Sequence, residues 1–218
     1  MNNQKLDLKQ INKQRFVLGT LCILLAPCCI LFGLFGSNNY PDWYMSISDT
    51  YYANSRMFMI GLLFTTGVFF GAYRGYDLKD RIVSWVEAIC ALGIVAFPTN
   101  SPYSDKTVGL FDLSKSTSGT FHCFFAATLF ITFAVNILWL FTLTNGIVTK
   151  QKKIRNKVYR VCGITILVFM VLEVLFVAKC FNIPKHVPMT LINEFVMLTA
   201  FGIAYLTKSE FFKKLNDR

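Results

Sequence analysis

WVEAICALGIVAFPT, residues 85–99, and FHCFFAATLFITFAVNILWLF, residues 121–141, decide the fold of this chain. The first is an apolar run holding one acid, Glu87. The second opens on a histidine, His122, and carries Asn136. Both are too apolar for the surface of a soluble domain. An ionisable group at membrane depth is costly and needs a partner or a task. The two runs therefore predict membrane-crossing helices whose few polar side chains turn inward.

Working outward, further apolar runs cover residues 16–35, 57–73, 161–178 and 189–206, and the quoted pair extends to 82–97 and 121–144. A helix needs about 20 residues to cross roughly 30 Å of hydrocarbon. The expected fold is all-α, a polytopic membrane bundle of six spans. Residues 1–15 and 207–218 form basic tails around a transmembrane domain at 16–206. Composition agrees: 54% of the 218 residues are hydrophobic and mean hydropathy is +0.48, while 16% are charged against roughly 25% in soluble domains. The first run resembles a signal peptide, but it is long for one and no A-x-A site follows, so it reads as a retained helix. Pro27 is expected to kink it, and Pro98 to end the third span.

The net charge of +10 would suggest nucleic acid in a soluble protein. Here the basic residues lie between apolar runs and report orientation instead. With the N-terminus cytoplasmic, inner segments hold 17 Lys and Arg and outer segments five. That bias predicts six crossings of the cell membrane, both ends inside, with membrane lipids as partners and no nucleic acid. Tyr40, Trp43, Tyr44, Tyr51 and Tyr52 suit the outer headgroup level.

Gly67, Gly71 and Gly75 form a small-residue stripe that lets another helix approach closely. Packing within the monomer is its commoner use; a homo-oligomer is the other. The seven cysteines lie in or beside apolar runs and read as small packing residues. Cys123 and Cys180 both fall near the outer face, where a bond between them would be allowed.

The candidate site gathers in the outer half: His122 opening the fourth span, Glu173 in the fifth, Asn193 and Glu194 near the start of the sixth, and Asp49 and Arg56 in the segment before the second. Ser46, Ser48 and Ser55 lie in that segment too. Glu87 stands apart, near the inner surface. His122, Ala126, Leu129, Phe133 and Asn136 share one helical face by the 3.6-residue period. His186, between two prolines, reads as an exposed loop residue. No HExxH, GxSxG, phosphate loop or dinucleotide fingerprint is present, so no cofactor or resident metal is expected. The first functional expectation is a non-enzymatic membrane protein with an outward polar pocket for a lipid or small ligand. Simple interhelical hydrogen bonding would use the same residues. A metal-dependent lipid hydrolase would need His122 and the acids as zinc ligands or proton carriers. A small transporter would need broken helices or an inverted repeat.

The order SISDTYYANSRMFMIGLLFTTGVFFGAYRGYD (46–77), EAICALGIVAFPT (87–99) and FHCFFAATLFI (121–131) resembles bacterial six-span proteins catalogued as a domain of unknown function. These look related to the Frag/DRAM/Sfk type of eukaryotic membrane protein. The resemblance implies six helices and work on or near lipids, and it carries no catalytic residues over. The alkaline ceramidase and progestin-receptor-like hydrolases also combine Ser, Asp and His in a helical bundle. They use seven spans and three histidines at a metal, whereas this chain offers six spans and one histidine at suitable depth.

Overall fold

A computed structural model describes residues 2–34 (side chains from residue 8), 45–75, 77–144, 146, 148–180, 184 and 187–217. Tyr40, Trp43, Tyr44 and His186 lie outside the described residues. The chain is all-helical apart from a two-residue hairpin. Its helices are α1 (Asn2–Leu34), α2 (Arg56–Ala72), α3 (Leu78–Ala96), α4 (Lys115–Val135), α5 (Lys150–Val177) and α6 (Met189–Lys208). A 3-10 turn, Ser48–Tyr52, precedes α2, and a π-helical turn, Asn136–Leu140, extends α4.

Among the described residues four helical segments are long and apolar enough to cross a membrane: Leu8–Leu34, Lys115–Leu140, Lys150–Val177 and Met189–Lys208. The other two miss for separate reasons. α2 is apolar but has 17 residues. α3 has 19 residues but includes Lys79, Asp80, Arg81 and Glu87. Each helix packs on its neighbours in sequence, and α1 closes against α6, so the six form a ring. Inside the ring, Phe133 of α4 stacks on Phe201 of α6 with centroids 3.5 Å apart, and Phe70 of α2 meets both.

The distribution of polarity is the reverse of a soluble protein's. Arg15, Glu87, Asn136 and Asn193 are each no more than 3% exposed. Val161, Ile164, Val168, Val171, Val174 and Val177 of α5 are all exposed and recur every three or four residues. An apolar stripe of this size fits contact with acyl chains, and bare exposure to water would be unfavourable.

Several boundaries differ from the sequence expectation. The basic residues before 16 continue α1, and those of 150–160 are the first turns of α5. Thr149 caps α5 by accepting from the Lys152 amide at 3.0 Å, which lets it begin early. At 28 residues α5 is about 42 Å long, against roughly 30 Å for a hydrocarbon layer. α4 starts at Lys115 because the hairpin Thr107–Val108/Leu113–Ser114 delivers Ser114 as its cap. α1 runs on through Pro27 without ending there. Gly67 and Gly71 face Ala91, Leu92 and Ala88 of α3 in the same chain, and Gly75 lies past the end of α2 with φ +62°. Gly67 and Gly71 are thus used for packing within the chain. All seven cysteines are free, Cys123 and Cys180 included.

The C-terminal segment is tied to the start of α5. Arg155 donates to the Leu215 carbonyl at 2.5 Å and to Asp217 at 2.6 Å, and the Thr149 hydroxyl also donates to Asp217. Arg155 and Thr149 hold the Asp217 carboxyl below the usual carboxylate range. A carboxylate whose folded value is depressed adds attachment above its ordinary titration range and loses it as pH falls. Hydrogen exchange across residues 211–217 should therefore be slow at neutral pH and accelerate in acid, relative to intrinsic rates. In R155A it should be fast throughout; equal protection in R155A would refute the tie.

Candidate functional site

The alternating course of the ring brings the end of α3, the starts of α4 and α6, and the 3-10 turn before α2 to one end of the bundle. The organising problem there is the end of α3. A helix leaves its last carbonyls without internal partners, and Pro98 prevents the next turn from supplying them. Three consecutive carbonyls are met by side chains from elsewhere. Phe97 O contacts His122 Nδ1 at 2.8 Å, Pro98 O accepts from the Ser118 hydroxyl at 2.8 Å, and Thr99 O accepts from the Tyr52 hydroxyl at 2.7 Å. His122, Ser118 and Tyr52 are all buried.

A carbonyl can only accept, so Phe97 fixes the His122 tautomer with hydrogen on Nδ1. The other ring nitrogen, Nε2, lies 3.0 Å from the Ser48 hydroxyl. The same hydroxyl lies 3.2 Å from Glu194 Oε1, and Glu194 Oε2 accepts from the Ile47 amide at 2.5 Å. A continuous chain thus runs from the α3 terminus through His122 of α4 and Ser48 of the 3-10 turn to Glu194 of α6. His122 is 4% exposed; Ser48 and Glu194 are half-buried. The backbone link from the Leu191 amide to the Met45 carbonyl, 2.9 Å, holds the same strap against α6.

Of the predicted site residues, His122 and Glu194 meet on one hydroxyl. Asp49 is adjacent and buried; its amide donates to Ser46 Oγ at 2.9 Å. Burial pushes its carboxyl up from the ordinary range, against hydrogen bonds from Ser101 and Ser46 that pull it down. Tyr52 beside it is pushed up to about 12, again chiefly by burial. Glu173 and Asn193 form a separate pair: Asn193 Nδ2 donates to Glu173 Oε2 at 2.6 Å, and Thr190 donates to Oε1 at 2.7 Å. Arg56 does not join. It is exposed, donates to the Tyr51 carbonyl at 2.5 Å and sits over the Tyr51 ring. Its guanidinium is used locally. Two buried polar atoms at this end, Ser55 Oγ and Asn193 Oδ1, have no partner among the described residues.

Sequence reasoning placed Ser48 in the right segment and missed its role as the bridge. Chemistry at 46, 48 and 55 looked alike, and the 3-10 turn that aims Ser48 has no strong signature. At the opposite end the sequence marked Glu87 and Asn136 as polar but not their contact with each other, nor the roles of Tyr205, Arg15 and Lys152. There Asn136, on the π-helical turn, donates from Nδ2 to Glu87 Oε1 at 2.9 Å and to the Tyr205 hydroxyl at 3.0 Å. Arg15 donates from Nε to the Tyr73 hydroxyl at 2.8 Å. Lys152 bonds the Phe141 and Leu143 carbonyls, both at 3.0 Å, closing the end of the α4 extension. A surface cleft lined by Arg74, Gly75, Asp77, Leu78 and Arg81 lies at this end too, on the α2–α3 turn.

The described residues contain no group of three or more His, Cys, Asp and Glu side chains placed to hold a metal. Comparison with known protein families, curated proteins and solved structures found no match to this chain. The family resemblance drawn above rests on the quoted residues alone.

Proposed function

We propose that this is a six-span cell-membrane protein, both ends cytoplasmic, that acts by binding a small polar ligand or lipid headgroup near its outer face. One observation carries the reading: His122 of α4 and Glu194 of α6 converge on the hydroxyl of Ser48, from the 3-10 turn, at one end of the ring. Interhelical hydrogen bonds in membranes average only about 0.6 kcal/mol, so stability alone is a weak reason to gather them. The excess of basic residues in segments assigned to the inside supports the orientation.

Native mass spectrometry of protein released from nanodiscs of mixed lipid should find a retained lipid or small molecule on the wild type and lose it in H122A and E194A. Equal retention in all three would defeat the binding reading. Single cysteines at Lys106 and Lys79 should label with impermeant reagent from outside and inside respectively. Labelling of both from one side would defeat the topology.

A second reading, a membrane lipid hydrolase, is favoured by the Ser48–His122 contact in a metal-free form: the tautomer leaves Nε2 free to take the serine proton. Against it, Glu194 holds the same hydroxyl. Covalent labelling of Ser48 by a fluorophosphonate, lost in H122A, would select this reading over the first.

A further inference from the structure

Hydrogens can be counted along the chain from Phe97 to Glu194, and the count comes out one short. Three contacts need three hydrogens: Phe97 O to His122 Nδ1, His122 Nε2 to Ser48 Oγ, and Ser48 Oγ to Glu194 Oε1. A neutral imidazole places its one hydrogen on Nδ1, because a carbonyl faces it. The serine hydroxyl has one hydrogen and can point it at Nε2 or at Oε1. An ionised Glu194 has none. With neutral His122 and ionised Glu194, two acceptors compete for one hydroxyl hydrogen.

We propose that Ser48, His122 and Glu194 form a proton-binding relay that holds one exchangeable proton when all three contacts are closed. The inference stands on this geometry and does not need the outer ligand proposed above. The bound proton has two equivalent homes. On Glu194 Oε1, the carboxyl donates to Ser48 Oγ and the serine donates to His122 Nε2. In the other form the carboxyl proton has passed to Ser48 Oγ as the serine proton passed to Nε2, leaving carboxylate and imidazolium. The number of protons is the same in both, and every contact is kept. Either form carries no net charge over the Glu194–His122 pair, which suits a site where His122 is 4% exposed.

The groups around the relay come from every packed element. Asp49 stands on the 3-10 turn, Glu173 on α5, Cys29 on α1 and Cys123 on α4, all within electrostatic range of Glu194 or of its neighbours. Arg56, at the start of α2, is turned to Tyr51. The nearby acidic groups are thus carboxyls, and Glu194 makes no ion pair among the described residues. Loss of the proton breaks one of the two contacts at Ser48 and so loosens the strap 45–52 at α4 or at α6, where the Ile47 and Met45 links to α6 remain. The closed form holds the extra proton, so rising pH favours release.

The test uses the full chain in nanodiscs, with amide hydrogen exchange of residues 45–52 and carboxyl infrared difference spectra followed over pH. In the wild type, protection of 45–52 should fall about ten- to a hundredfold, beyond intrinsic rates, as one proton leaves; that is the range for a hydrogen bond to a charged group. Glu194→Gln should hold protection flat with pH. Its amide nitrogen supplies the missing hydrogen to Ser48 while its oxygen still accepts from Ile47. Asp49→Asn and Glu173→Gln should keep the wild-type pH dependence. Ser48→Ala, a change of one oxygen, should remove the dependence even if Glu194→Gln does not fold. Flat protection in the wild type overturns the relay. So does a wild-type pH profile in Glu194→Gln or Ser48→Ala.

Discussion

Gly202→Leu is expected to abolish the folded ring in mild detergent, while Gly61→Ala, on an exposed face of α2, should be neutral or stabilising by about 0.5–1 kcal/mol. The difference lies in what each new carbon would meet. A Cβ on Gly202 would come within 2.7 Å of the Gly19 carbonyl oxygen and 2.4 Å of Ile23 Cγ1. A Cβ on Gly19 would come within 2.9 Å of the Gly202 carbonyl and 3.0 Å of the Leu206 amide. Apart from Ile23 Cγ1 these are helix backbone atoms, which cannot rotate away as a side chain can. Alanine at 202 should cost about 1–3 kcal/mol, the usual range for overpacking, and leucine should force α1 and α6 apart. At Gly61 nothing lies within 4 Å. Thermal melts by circular dichroism, with size-exclusion profiles, would decide. A Gly202→Leu protein melting with the wild type would show that the α1–α6 seam is not this tight.

The second large effect is expected at Asn136. Its Nδ2 is the donor to Glu87 Oε1, and Glu87 Oε2 is buried without a hydrogen-bond partner among the described residues. Asn136→Leu would leave a carboxyl group 0% exposed with only the Tyr205 hydroxyl as a neighbouring donor. The mean interhelical hydrogen bond in a membrane, about 0.6 kcal/mol, understates this loss, because the remaining partner is a buried acid. A loss of about 2–3 kcal/mol is expected, near the upper range for hydrogen bonds to charged groups. Glu87→Gln should stay close to wild type, since its carbonyl still accepts from Asn136. Pairing Asn136→Leu with Glu87→Leu should recover much of the loss, because replacing both partners by apolar groups removes the unmet demand. Additive losses in the double variant would refute the coupling.

Much of the architecture was legible because the membrane imposes a coarse rule on sequence. Runs of apolar residues long enough to cross had to be helices, and Pro98 had to end one. The shared face of His122, Leu129, Phe133 and Asn136 also held, since all four are buried. Legibility failed where the determinant was three-dimensional. Arg15 read as a member of a basic tail, yet it is 1% exposed and bonded to Tyr73. No local pattern marks a cation whose partner lies 58 positions away. The π-helical turn that aims Asn136 has no sequence period of its own. The two glycines that matter most for packing, Gly19 and Gly202, are isolated in the sequence, while the conspicuous stripe at 67 and 71 serves an ordinary contact with α3.

The closure of the ring between its first and last helices has a consequence for biosynthesis. α1 leaves the ribosome long before its main neighbour, α6, exists. At roughly 5–20 residues per second, the wait is on the order of ten to thirty seconds. Throughout that interval the notch at Gly19 lacks its final neighbour, while Arg15 waits only for Tyr73 beyond the end of α2. An insertase or chaperone that shelters a nascent hydrophobic segment would find its natural client in α1, and slowing translation after α5 would prolong that dependence.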